Sequence, residues 1–146
     1  MRIGHQKWLL IGLIFIIGCS VSDTSAQTAL QPEVKHLNQI HEFPINIPGI
    51  RAARLFKTPT ADMILTHGDP GTKLHKHEVS DHFVYILKGR GEVRLGDKKE
   101  TITVGDLILI PKGLPHSILK AGDGEFVLLA ISSPPLDLND FRWLEK

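Results

Sequence analysis

The sequence predicts an all-β fold, a sandwich or barrel, on three observations. From Arg51 onward the apolar residues fall in short runs instead of long stretches. Glycine, proline and aspartate interrupt those runs at intervals of about eight to twelve residues, the spacing of strands joined by turns. Before Pro134 no segment sustains a helical period.

Taken in order, strands are expected over residues 53–57, 61–66, 73–77, 82–87, 91–95, 100–104, 107–110, 116–119 and 125–131. The first two are apolar runs that lead into the turn Asp69-Pro70-Gly71. The third alternates Lys73, His75 and His77 against Leu74 and Lys76. In the fourth, Phe83, Tyr85 and Leu87 alternate with His82, Val84 and Ile86, and both sets are expected as core. Lys88-Gly89, Gly96-Asp97, Val104-Gly105-Asp106, Pro111-Lys112-Gly113 and Gly122-Asp123-Gly124 supply the turns that separate the rest. Gly89-Arg90-Gly91 and Gly122-Asp123-Gly124 precede no helix and so are hairpin turns, not phosphate loops. A short C-terminal helix over residues 138–144 is expected to cover an edge or face of the sheets.

The N-terminus has a different character. Arg2, His5 and Lys7 precede an apolar stretch over residues 8–17, broken only by Gly12. That stretch is too short for a bilayer core, which takes about 20 helical residues, and has the length of a signal-peptide core. It ends in Ile16-Ile17-Gly18-Cys19, which resembles the lipobox of bacterial lipoproteins, where the cysteine is acylated and becomes the new N-terminus. The resemblance implies a signal peptide over 1–18, a lipidated spacer over 19–31 rich in Ser, Thr, Ala and Gln, and one domain over 32–146. With Ser20 instead of aspartate after the cysteine, it also implies an extracytoplasmic protein anchored to the periplasmic side of the outer membrane. Cleavage after Thr24-Ser25-Ala26 is the alternative, giving a soluble periplasmic or secreted protein.

Composition narrows the function. Charged residues make up 23% of the 146, so the chain is globular and not disordered. Beyond residue 18 stand 15 basic and 16 acidic residues, a net charge of −1 that offers nucleic acid no electrostatic footprint. The single cysteine, Cys19, excludes an intramolecular disulfide and a cysteine-rich zinc site. Neither a Gly-x-Ser-x-Gly element nor a nucleotide loop is present.

Histidine stands out. His75 and His77 are two apart in a strand and project from one face, as a pair of metal ligands would need. His82 opens the next strand and comes level with them across a short connection, and His116 opens another. These residues resemble the cupin superfamily. Its second motif, Gly, five residues, Pro-x-Gly, two residues, His, is complete as Gly105, Pro111-Lys112-Gly113 and His116. The first reads His75-Lys76-His77, four residues, His82, six residues, Gly89, with His82 where most metal cupins have glutamate. The opening glycine is displaced, since the family spacing falls on Asp69, between Gly68 and Gly71. The asparagine that often closes the second motif is absent.

The resemblance implies a cupin double-stranded β-helix, or jelly roll, with its barrel core over about 51–131. It makes His75, His77 and His116 ligands of a divalent transition metal (Fe, Mn, Ni, Zn or Cu), with His82 as the fourth. Asp81 is the rival fourth ligand; its strand parity opposes that of His82, so only one of them points inward, and His82 is preferred because it keeps the six-residue register to Gly89. Glu78 is read as solvated, and His67 as a rim residue beside a turn. Four neutral imidazoles would leave the metal its full charge as a Lewis acid. The implied function is a small-molecule enzyme of dioxygenase, isomerase, cyclase or lyase type on an oxygenated substrate, with Val84, Ile86 and Ile118 as pocket wall. The alternative is a non-catalytic cupin that holds a metal or small ligand at the envelope. Expected partners are that small molecule, the membrane through Cys19, and a second copy in a homodimer, which is left open.

Overall fold

The computed structural model describes residues 30–145, so the signal segment, Cys19 and the start of the spacer lie outside the described residues. Eleven strands form two antiparallel sheets. They are β1 (Ile45–Ile47), β2 (Ile50–Lys57), β3 (Asp62–Gly68), β4 (Gly71–His77), β5 (Asp81–Lys88), β6 (Arg90–Leu95), β7 (Lys98–Thr103), β8 (Leu107–Ile110), β9 (His116–Lys120), β10 (Val127–Ser133) and β11 (Phe141–Trp143). The six-stranded sheet runs β1-β2-β3-β10-β5-β8 and the five-stranded sheet β11-β4-β9-β6-β7. This is the jelly roll that the histidine motifs imply, and all nine expected strands are present.

The two inner faces meet over one core. Val84, Ile86, Ile108, Ile110 and Leu128 come from the six-stranded sheet, Val93, Ile102 and Ile118 from the other. Phe126 fills the end of the barrel where β3 finishes and β4 begins. It lies so close to Gly68 and Gly91 that a Cβ on either would stand 2.9 Å from its ring. Gly71, at φ +105°, begins β4, and a Cβ there would come within 2.1 Å of the Ile118 carbonyl oxygen. The displaced glycine of the first motif therefore does a backbone job two residues from its expected place.

Three features depart from the sequence reading. Phe83 and Tyr85 are 49% and 38% exposed, because they stand on the outer face of the six-stranded sheet, where nothing among the described residues covers them. Their cross-strand neighbours Leu109 and Leu107 are exposed beside them. Of the outward set of β5 only Leu87 packs, against the cluster of Leu55, Leu65 and Val127. Further along the same outer face, Ile40 and Phe43 from the N-terminal segment pack around Leu65 and Val127. That segment also contributes β1, which sequence analysis passes over.

The third departure is at the C-terminus. The helix expected over 138–144 is one 3-10 turn, Leu138–Asp140, followed by β11. Asp137 caps that turn by accepting from the Asn139 N–H at 2.8 Å. Asp140 then accepts from the backbone N–H groups of Glu78 and Val79, both at 3.1 Å, and holds the chain against the loop after β4. From there Phe141, Arg142 and Trp143 pair with His77, Lys76 and His75. The open edge of β4 offers backbone partners that a helix would leave unused. Among the described residues no helix is long and apolar enough to cross a membrane.

Candidate metal centre

The barrel end opposite Phe126 collects four histidines. His75 and His77 end β4, His82 is the second residue of β5, and His116 begins β9, paired directly with His75. All four are buried, at 2–7% exposure. Ligand nitrogens of His75, His77 and His116 lie within 4.8 Å of one another. His82 stands beside this trio, its ring 4.3 Å from that of His77 and 6.2 Å from that of His116.

Backbone carbonyls orient half of the cluster. His75 Nδ1 lies 2.7 Å from the Lys73 carbonyl and His116 Nδ1 2.9 Å from that of Leu114. A neutral imidazole that donates through Nδ1 keeps a lone pair on Nε2, the arrangement that fixes a metal-binding tautomer. By contrast, His77 Nδ1 and His82 Nε2 are buried without any hydrogen-bond partner. The Gly113 N–H donates to the His77 carbonyl at 2.5 Å, so the Pro111-Lys112-Gly113 turn of the second motif anchors the strand end of the first.

All four imidazoles are held neutral. Burial is the main cause in each case, and for His75, His77 and His82 the neighbouring imidazoles add to it. The pKa of His75 falls to about 4, lowered by burial and then by His116. That of His82 falls to about 4 on the same two grounds. His77, with three imidazoles around it, is lowered to about 2. Burial also lowers His116. A metal needs deprotonated imidazole, so these residues are in binding form well below neutral pH. Three converging neutral nitrogens and unpartnered buried ring atoms fit a borderline-soft divalent transition metal of the Fe, Ni, Cu or Zn kind.

The C-terminal strand completes the site. Phe141 stacks on His75 with centroids 5.0 Å apart and meets His77 edge-on at 4.4 Å, while Trp143 lies 5.2 Å from His75. Neither aromatic is legible as a site residue in a segment whose local pattern suits helix. Their spacing of two in Phe-Arg-Trp was the available signal.

The rival residues point elsewhere. Asp81 Oδ1 accepts from the Lys112 N–H at 2.8 Å, on the opposite face of β5 from His82. Glu78 pairs with Lys76 at 2.6 Å, half-exposed. His67 is on the outer face of β3, 4.5 Å from the Phe43 ring, and does not line the histidine cavity. That cavity, about 80 Å³, is walled by Ile45, Ile50, Ile64, Val84, Ile118 and Leu136 among others. Ile86, expected in the wall, is wholly buried in the core beyond it.

The comparisons agree with this architecture. A family model described as the Cupin domain matches residues 61–132, which hold both histidine motifs. An uncharacterized protein of Methanocaldococcus jannaschii is 38% identical over 89 residues, covering 61% of this chain and 70% of that one. Among solved structures, the polyketide cyclase RemF from Streptomyces resistomycificus superposes with a TM-score of 0.67 at 20% identity, over 80% of this chain and 87% of that one. KdgF from a Halomonas species gives 0.59 at 25% identity, over 64% of this chain and 88% of the other.

Proposed function

The chain belongs to the cupin superfamily, and from that premise we propose that it is a metal-dependent cupin acting as a small-molecule enzyme on an oxygenated substrate. One observation carries the reading: three buried, neutral imidazoles converge within 4.8 Å at the end of an apolar cavity. His75, His77 and His116 would hold the metal, with His82 as the fourth ligand. A bound divalent Fe, Mn, Ni, Zn or Cu would supply Lewis-acid polarisation of a substrate oxygen. The chain's own residues do the rest. Lys73 and Leu114 carbonyls set the tautomers, Phe141 holds the rings of His75 and His77 in place, and the isoleucine walls exclude water.

The test is metal analysis followed by a turnover screen of β-diketones, catechols and uronic acids. Close to one metal per chain and a turnover that His77→Ala abolishes without unfolding are expected. Oxygen consumption then separates a dioxygenase from an isomerase, cyclase or lyase. The second reading, a non-catalytic binding cupin, is favoured by a lining that contains no carboxylate, lysine or tyrosine among the described residues. Absence of turnover together with a closed four-coordinate metal would select it.

The chain is also proposed to work at the envelope of a bacterium, anchored through acylated Cys19 on the periplasmic side of the outer membrane. Support comes from the sequence of residues 1–19 alone. Wild type in the membrane fraction and Cys19→Ala in the soluble fraction is the expected result, and identical soluble products would overturn it. A homodimer belongs to the same proposal. The exposed apolar side chains of β5 and β8 support it, and sedimentation velocity tests it.

A further inference from the structure

Besides the histidines, one more unsatisfied polar atom faces the cavity. Ser132 on β10 is fully buried, lines the cavity, and its Oγ has no hydrogen-bond partner. In the antiparallel pairing of β10 with β5 it stands opposite His82, and side chains opposite each other in such a pair share a face. His82 Nε2 is itself unpartnered. Two polar atoms on one rung of the sheet thus lack any partner among the described residues. The next residue shows the ordinary case: Ser133 Oγ donates to the Thr60 carbonyl at 3.0 Å. A buried hydroxyl without a partner destabilises a fold, and alanine would occupy the same place without that cost.

The remainder of the lining restricts what can satisfy Ser132. Apart from the four histidines, its polar residues are Thr66, Thr72 and Ser132, and no Asp, Glu, Lys, Arg or Tyr lines it among the described residues. A molecule bearing a carboxylate and several hydroxyls would leave most of its polar atoms unpaired there. A compact carbon body with one or two oxygens would not.

We propose that Ser132 determines specificity by donating its hydroxyl hydrogen to an oxygen of a small, mainly apolar substrate of the β-diketone or enolate class. The substrate's carbon body lies against the isoleucine wall, and polyhydroxylated acids are rejected. This rests on the metal-dependent reading above, since a second oxygen is taken to sit at the histidine cluster.

The experiment titrates acetylacetone and galacturonate into the zinc-loaded full chain by calorimetry, because zinc supports no oxygen chemistry that would consume either probe. Acetylacetone is expected to bind at least about tenfold more tightly than galacturonate. Ser132→Ala should weaken acetylacetone about tenfold, the loss of a single hydrogen bond. It should leave one zinc per chain and a melting temperature equal to or above that of wild type. Ser132→Thr, which keeps the hydroxyl, should retain most of the affinity. Zinc uptake with no acetylacetone binding, with tighter galacturonate binding, or with equal acetylacetone affinity in wild type and Ser132→Ala overturns this inference alone. A chain that takes up no zinc overturns the metal-dependent reading and this inference with it.

Discussion

Asp62 and Asp140 are buried about as deeply as His77, His82 and Ser132, yet their hydrogen bonding is the reverse. The oxygens of Asp62 accept from Arg54 Nε at 2.9 Å and the Leu136 N–H at 3.2 Å. Those of Asp140 accept from the Glu78 and Val79 N–H groups. Every carboxylate oxygen in these two places has a donor. At the cavity, His77 Nδ1, His82 Nε2 and Ser132 Oγ have none. Charge buried for the sake of the fold is matched by the chain, because an uncompensated buried charge would unfold it. Polar atoms left unmatched around a cavity await something the chain does not supply. Ser80 Oγ, also unpartnered but outside the cavity lining, has no explanation in the structure.

Acid has the largest effect on the difference between the two regions. Unfolded imidazoles take up protons near pH 6.5, whereas His75 and His82 in the fold do so only near pH 4 and His77 lower still. Below pH 6.5 the unfolded state therefore binds more protons than the native state, so stability falls from pH 6.5 towards 4 and histidine titration leaves it unchanged above 6.5. The loss in metal-free protein should be on the order of several kcal/mol, since each pKa unit is worth about 1.4. Melting temperatures of chelator-treated protein across pH 8 to 4 check this, and a flat profile refutes it.

Next in size is Asp62→Ala, which takes the acceptor from Arg54 and the Leu136 N–H. We expect a loss of about 3 kcal/mol, or about 10 °C in melting temperature, with metal uptake per folded chain unchanged. Thermal unfolding and metal analysis of one preparation separate the two effects. His77→Ala should invert that pattern, cutting metal affinity about 100-fold, or 2.7 kcal/mol, while the metal-free melting temperature moves by only a few degrees. A competition titration with a chelator reads the affinity.

The smallest effects are expected within β5. His82→Ala should weaken metal binding about tenfold, or 1.4 kcal/mol. Asp81→Asn should change it less than about twofold, since Asp81 serves the Lys112 N–H and the amide oxygen can serve it as well. The opposite ranking in the same titration would assign the fourth position to Asp81.

Strand alternation made the inner half of the site legible. His75 and His77 read as facing one side from their spacing alone, and parity put Asp81 and His82 on opposite faces of β5, as the structure has them. Where local pattern gave no cue, the reading failed. The stretch 138–144 has apolar residues that suit one turn of helix, but the free edge of β4 and the hold of Asp140 on the Glu78–Val79 loop outweigh that local preference. Phe83 and Tyr85 alternate as core residues do, and only the arrangement of neighbouring segments decides that Phe43 covers one half of the outer face and that none of the described residues covers the other.

Local pattern is enough for nine of the eleven strands, the turns between them and the shared face of His75 and His77, because a two-residue period and glycine at tight turns are local properties. Tertiary structure alone decided which polar atoms have partners. Ser132 reads as an ordinary strand serine until β10 pairs with β5 and sets it opposite His82. Phe141 is a tail residue until β11 lays it on His75. Asp140 finds its donors in Glu78 and Val79, and Asp62 finds one of its two in Leu136, all more than sixty residues away in the chain, and no local pattern encodes such contacts.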